Sequence, residues 1–277
     1  GCPVGRAVVD HEDLAHHPRA FGGGGGVIGP ADVSVILPVK NGAAHIGAAI
    51  ESLARQSAGM VGEVLVIDDR STDGTAALVA ELAARHPEIR VLPGPGTGPA
   101  AARNVGLAAA TGEVIGFIDH DDLWPPEKLA HQLARLNRPP HLDAIGGAVA
   151  IFEETEADGQ TPVAIGQGDW VYFVNLGALL IRREVLAALD PFDPALIFGE
   201  DLDLMLRLIE AGFALRYLPE PTLFYRRHPA QLTSGVNKAK EKEALRQILM
   251  RTALRRRRAG LGALPAFNDL VEEAPAP

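Results

Sequence analysis

Val114-Ile115-Gly116-Phe117-Ile118-Asp119-His120-Asp121-Asp122 is a short uncharged run that ends in three acids. The apolar part reads as a strand covered on both faces, the usual pattern of a parallel sheet. Carboxylates at the end of so apolar a strand are costly unless they meet a cation or hydrogen-bond donors. Three similar runs precede it. Val33-Ser34-Val35-Ile36-Leu37 is stopped by Pro38, Val64-Leu65-Val66-Ile67 ends in Asp68 and Asp69, and Ile89-Arg90-Val91-Leu92 leads into the turn residues Pro93-Gly94-Pro95-Gly96.

Helical spacing fills the gaps between these runs. Ile46, Ala49, Ile50, Leu53 and Ala54 share one face. Ser71-Thr72-Asp73-Gly74-Thr75 supplies capping chemistry for a helix carrying Leu78, Val79 and Leu82. A small-residue helix is expected around Ala100 to Ala110. Strands alternating with helices predict βαβ units, hence an α/β fold with a mostly parallel central sheet flanked by helices. Ligands in such sheets sit beyond the carboxyl ends of the strands. Acids end two of the four strands, so they converge on one rim.

The second half is less regular. Ala144 to Phe152 reads as a strand, residues 153–170 as a polar loop, and Leu176 to Ile181 as a further apolar run. Glu200 to Glu210 is predicted helical, with Leu202, Met205, Leu206 and Ile209 on one face. Ala214 to Leu218 and Leu223 to Tyr225 are expected as two short strands. From Val236 a polar, basic helix runs to Arg255–Arg258, and the tail from Glu272 to Pro277 is expected to fray. Residues 1–31, with His11, His16, His17 and the run Gly22 to Gly26, read as a loosely held extension. A histidine metal site there is the weaker reading.

Bulk properties narrow the function. The 277 residues are 47% hydrophobic and 22% charged, enough for a large core and too ordinary for wholesale disorder. A net charge of −9 argues against non-specific nucleic-acid binding. Cys2 is the sole cysteine, which excludes an intrachain disulfide or thiolate zinc cluster and suits a cytoplasmic, reducing compartment. Neither a membrane-spanning run nor a signal peptide is expected.

The acids divide into three groups. Asp119 and Asp121 are spaced so that one can hold a hard divalent cation while the other takes a hydroxyl; Asp122 is the natural candidate for a helix cap before Trp124-Pro125-Pro126. Asp69 is left for a nucleotide ligand, because Ser71, Thr72 and Asp73 can already cap the helix that follows. Arg103, in Gly98-Pro99-Ala100-Ala101-Ala102-Arg103-Asn104-Val105-Gly106, can reach a phosphate as a forked donor. The third group, Gly199-Glu200-Asp201-Leu202-Asp203, opens a helix, where a half-exposed carboxylate can serve as a general base. His228 in Tyr225-Arg226-Arg227-His228 can add an imidazole to a metal shell. Each acid also has a plainer use at a helix start.

Taken in this order, the clusters resemble the family 2 glycosyltransferases of the GT-A fold. The resemblance rests on Val35-Ile36-Leu37-Pro38-Val39-Lys40-Asn41, on Asp68 to Thr75, on Gly98 with Ala102 to Gly106, on Phe117 to Asp122, and on Gly199 to Arg207 with Tyr225 to His228. It covers residues 32–235 and implies a nucleotide-sugar-binding half (32–124) joined to an acceptor half (125–235), with 236–277 as a helical segment and tail. By analogy, Pro38, Asn41 and Asp69 would line the nucleoside pocket, and Asp119 would touch the ribose or donor sugar. Asp121 and His228 would hold Mn²⁺ or Mg²⁺ against the diphosphate, and Asp201 would be the base. The implied reaction is an inverting transfer from a nucleotide diphosphate sugar, UDP-sugar first, to an acceptor hydroxyl on a glycan, lipid, peptide or small molecule. Lys40 departs from the family pattern, in which an aromatic or uncharged residue is usual.

Rival readings are a sugar nucleotidyltransferase or nucleotide-sugar hydrolase, a catalytically dead binder, and a phospho-receiver domain. The last leaves the acids of 119–122 and 200–203 without work. Trp170, Tyr172 and Phe173 could stack on an acceptor ring, although packed aromatics are commoner. The basic stretch Arg251 to Arg258 could rest weakly on anionic lipid, making the chain peripheral to a membrane, or on a partner; a solvated helix end is the preferred reading.

Overall fold

A computed structural model describes residues 26–163, 170–228 and 237–272. The expected strands and helices of the first half are present in order. They are β1 (Val33–Val39), α1 (Ile46–Ala54), β2 (Glu63–Asp68), α2 (Thr75–Arg85), β3 (Ile89–Pro93), α3 (Pro99–Ala109) and β4 (Val114–Phe117). α4 (Lys128–Leu136), β5 (Ala144–Phe152), β6 (Trp170–Val171), β7 (Leu180–Arg182), α5 (Arg183–Ala188), α6 (Glu200–Glu210), β8 (Leu215–Arg226) and α7 (Lys238–Ala259) follow.

The strands form one eight-stranded sheet in the order β3-β2-β1-β4-β7-β5-β6, with β8 beside β5. β1 pairs in parallel with both β2 and β4, and β2 pairs in parallel with β3. All seven residues of β1 are buried. Alternation divides them between two cores. Val33, Val35, Leu37 and Val39 join Ile50, Val79 and Leu129 on one face, whereas Ile36 joins Ala102, Phe117 and Leu204 on the other. The carboxyl ends of β2, β1 and β4 therefore lie side by side, about 5 Å from strand to strand.

β7 breaks the parallel pattern: it runs antiparallel to β4 and β5 and carries the sheet into the second half. The two short strands expected after Ala214 are a single twelve-residue strand, β8. Its pairing with β5 shifts register opposite Gly147 and Ala148, where Pro219 and Pro221 interrupt the pattern. Prolines lack the donor a ladder needs, and this made one strand read as two.

Two other expectations change. Residues 28–31 are tied down rather than loose: Ile28 is buried, and its backbone exchanges two bonds with the Asn137 side chain. The rest of the expected extension, residues 1–25, lies outside the described residues, as do parts of the expected loop and tail (164–169 and 273–277). Asp122 does not cap α4, which begins six residues later, behind Glu127. Lys128 opens that helix inside the core, where it donates to the Gly177 carbonyl at 3.1 Å and lies over the Trp124 ring. Burial holds its ammonium well below the lysine range.

Close packing of α3 on the sheet gives a test. A Cβ on Gly106 would stand 2.6 Å from Ile36 Cγ2, while one on Gly47, also helical, would meet nothing within 4 Å. Gly106→Ala is expected to lower stability by about 1–3 kcal/mol. Gly47→Ala should raise it by about 0.5–1 kcal/mol. Urea midpoints of the two variants check both signs.

Candidate active site

The rim begins at β1 and β2, where polar side chains fix the loops by their own backbone. Asn41 adopts a left-handed conformation with φ 54°. Its Oδ1 accepts from the Thr72 N–H at 2.7 Å, and its N–H donates to Ser71 Oγ at 2.9 Å. Asp68 accepts from the Ser71 N–H, and Asp73 accepts from the N–H groups of Thr75 and Ala43. Gly42 is required here: a Cβ would stand 2.4 Å from the His120 ring. Pro38 is buried beside β2, and Lys40 is exposed just beyond it.

Asp69 is not idle in this state. It is buried, and its two oxygens accept from the N–H groups of Gly96 and Gly98 at 2.6 and 2.9 Å. The sequence left it free for a ligand because the α2 cap was already supplied. The turn after β3, where φ is +83° at Gly96 and +112° at Gly98, uses the carboxylate instead. Asp69 thus shapes the loop that faces the rim.

Arg103 also does other work than expected. Its guanidinium is buried, with one nitrogen donating to Asp119 Oδ1 at 2.6 Å and another to Glu200 Oε1. The fork assigned to a phosphate is thereby occupied by two carboxylates. Asp119 lies after β4 and Glu200 opens α6, so this ion pair joins the two halves of the chain. Glu200 was read only as one of a group of acids, since nothing local in the sequence names a partner 97 residues away.

Asp201 stands next to this bridge. Gly199 turns the chain at φ 74° and caps α6, so Asp201 lies in its first turn, where the helix dipole favours an anion. Burial and the neighbouring Glu200 outweigh that dipole and the Leu202 and Arg103 contacts, and push its carboxyl up to about 7. A carboxylate poised near neutrality can take a proton from a hydroxyl.

Beyond β4, Asp121 Oδ2 lies 2.9 Å from His228 Nε2. His45 packs on the His228 ring at 5.0 Å between centroids. Burial and the nearby Arg226 hold the His45 imidazole below its usual range. Arg226 donates through Nε to the Asp121 carbonyl, and its N–H donates to Asp122 Oδ1 at 2.9 Å. Burial, with Asp121 and Asp119 nearby, pushes the Asp122 carboxyl well up. The chemistry of the Asp121–His228 pair, one carboxylate and one imidazole at the strand ends, suits a divalent cation that keeps the rest of its shell for water and phosphate oxygens. Among the described residues no group of three acids, histidines or cysteines is placed to hold a metal ion unaided. His45, Gly42 and Arg226 went unnoticed because each acts through distant partners. Tyr172 and Phe173 pack against Phe267 and Tyr225, whereas Trp170 is exposed.

Comparison with known proteins gives a consistent result. The description "Glycosyl transferase family 2" matches residues 34–185. A pre-mycofactocin glycosyltransferase of Mycobacterium tuberculosis is 34% identical over 203 residues, 68% of this chain and 41% of that protein. A Nostoc protein described as an uncharacterized glycosyltransferase is 31% identical over 175 residues, 58% of this chain and 54% of that one. The chain thus spans about half the length of these curated relatives, or less. Among solved structures, the Pyrobaculum calidifontis mannosyltransferase PcManGT in complex with GDP-Man and Mn²⁺ superposes with a TM-score of 0.61 at 22% identity, covering 92% of this chain and 71% of that one. Staphylococcus aureus TarS 1–349 in complex with UDP-GlcNAc superposes with a TM-score of 0.58 at 23% identity, covering 78% and 65%. Those two likenesses concern the fold alone. With more than half its length matching the family description, the chain belongs to glycosyl transferase family 2.

Proposed function

We propose that the chain transfers a sugar, with inversion, from a nucleotide diphosphate donor to an acceptor hydroxyl. One observation carries this reading: Arg103 ties Asp119 at the sheet rim to the start of α6, which puts Asp201 and the donor-side acids in one neighbourhood. Family membership and the nucleotide-sugar complexes of the structural relatives support it. Those relatives hold GDP-Man and UDP-GlcNAc, so both bases are candidates, and UDP-sugars are the first to test.

Each residue has a definite task in this reading. Pro38 and Asn41 border the nucleoside pocket, and Asp69 shapes its wall through Gly96 and Gly98. Asp119, about two-fifths exposed, accepts from a donor hydroxyl while Arg103 holds it in place. Asp121 and His228 would hold Mn²⁺ or Mg²⁺, which when bound would supply positive charge to neutralise that gathering on the departing diphosphate. Asp201 takes the acceptor proton as the acceptor oxygen attacks the anomeric carbon from the face opposite the leaving group.

Asp201→Asn is expected to reduce turnover by about 10²–10⁴ while leaving donor affinity within a few-fold, as read by steady-state kinetics and calorimetry. Wild-type kcat/KM should rise with pH through about 7 and then level off, because the base must be ionised. The stability effect has the opposite sign. Native Asp201 keeps its proton to about 7, whereas the usual value is 3.8, so its contribution is retained at low pH and lost as pH rises between these values. The Asn variant should therefore melt higher than wild type at pH 8 while being far less active. Wild-type melting behaviour in Asp201→Asn with full turnover would overturn the assignment.

Two further outcomes are expected. EDTA abolishes transfer and Mn²⁺ restores it, while Asp121→Ala loses the restoration; full activity in EDTA would remove Asp121 and His228 from the metal role. Arg103→Met leaves Asp119 and buried Glu200 unpaired and should cost about 3–5 kcal/mol in a urea titration.

A further inference from the structure

Tyr217 is a core ring with a hydroxyl that packing does not explain. It lies in β8, is fully buried, and its ring meets Phe267 at 4.7 Å between centroids. A phenylalanine would fill the same space. A buried tyrosine hydroxyl usually finds a good acceptor, yet this one donates to Met205 Sδ at 3.9 Å, and a thioether accepts weakly. Burial, and next the charge on Asp201, hold the phenol above its usual range, so it stays an O–H donor at any working pH.

Asp201 is near this hydroxyl for a geometric reason. Asp201 and Met205 are four residues apart on α6, so they sit one turn apart on a shared face. Leu204, Met205 and Leu208 turn that face toward the core that contains Tyr217, whereas Leu202 and Leu206 point to the α7 side. Helical side chains lean toward the N-terminus, which carries Met205 Sδ, and the hydroxyl on it, toward the turn of Asp201. The groups that face Asp201 come from four elements. Glu200 is its neighbour on α6, Arg103 comes from α3, Asp119 from the end of β4 and Tyr217 from β8. The Leu202 N–H donates to Asp201 Oδ1 at 2.7 Å, and Arg103 is engaged by Asp119 and Glu200. Among these described groups, the Tyr217 hydroxyl is the side-chain donor held by the weakest acceptor.

We propose that Tyr217 is a positioning residue for the proton acceptor: when Asp201 is ionised, the hydroxyl turns from Met205 Sδ and donates to the carboxylate. A charge-assisted bond of this kind favours the ionised carboxyl and fixes its direction. The naming of Asp201 as the base rests on the transferase reading; the bond itself does not.

Carbon-13 NMR of the full chain labelled at its aspartate carboxyls provides the test, with Asp201→Asn assigning the signal. In Tyr217→Phe the Asp201 carboxyl is expected to titrate about one pH unit higher than in wild type. Met205→Leu removes the competing sulfur at nearly constant volume, and should leave the titration at or below the wild-type pH. In transfer assays, Tyr217→Phe should lower kcat/KM about tenfold at pH 6 and change it by no more than about twofold at pH 9, because the higher titration matters only where the base is mostly protonated. An unmoved titration in Tyr217→Phe, an equal rise in Met205→Leu, or a loss of the same size at pH 6 and pH 9 would overturn the proposal. If the titration moves as expected while the wild type transfers no sugar, the hydroxyl bond stands and the transferase reading falls.

Discussion

A single buried guanidinium holds the two halves of the site in register. Arg103 comes from α3, Asp119 from the end of β4 and Glu200 from the start of α6. Among the described residues no backbone hydrogen bond joins α6 to the rim, so the ion pair adds to the packing of Leu204, Met205 and Leu208 in fixing where the helix sits. Burial makes it demanding for Arg103 and Glu200, each tolerable only with the other in place, since an unpaired buried charge costs several kcal/mol. The same bridge fixes the electrostatics of Asp201. Burial raises its affinity for a proton most, Glu200 adds to the rise, and the Leu202 N–H and Arg103 oppose it. A carboxyl that titrates near neutrality is the net result of these opposed contributions.

Much of the first half was legible because local pattern and global fold agree there. Val33–Val39 and Val114–Phe117 are so apolar that only a doubly covered strand fits them, and the acids that follow have one rim on which to fall. The second half was harder for physical reasons. Pro219 and Pro221 made β8 read as two strands, although the sheet accommodates them by a register shift against β5. Asp122 looked like a helix cap, yet its partner is the Arg226 N–H, 104 positions along the chain. Arg103 and Asp69 were recognised as site residues, but their partners were not, because a forked cation or a carboxylate in sequence does not announce which distant group it meets.

The rim also uses carboxylates in two different ways. Asp68, Asp69 and Asp73 are spent on backbone N–H groups, fixing the loops after β1, β2 and β3. Asp119 and Asp121 instead meet side chains, Arg103 and His228. A tight sugar-nucleotide pocket needs both kinds. Loops held by charge-assisted bonds are ready for a ligand before it arrives, which lowers the ordering cost of binding.

The contact between Gly199 and α7 has a mechanical consequence. Ile248 leaves so little room at this left-handed turn that a Cβ on Gly199 would stand 2.8 Å from its Cδ1. Asp201 lies two residues on. A shift of α7 along its axis would therefore press on the short turn that carries Asp201, so the seat of this carboxyl depends on a helix from the far end of the chain.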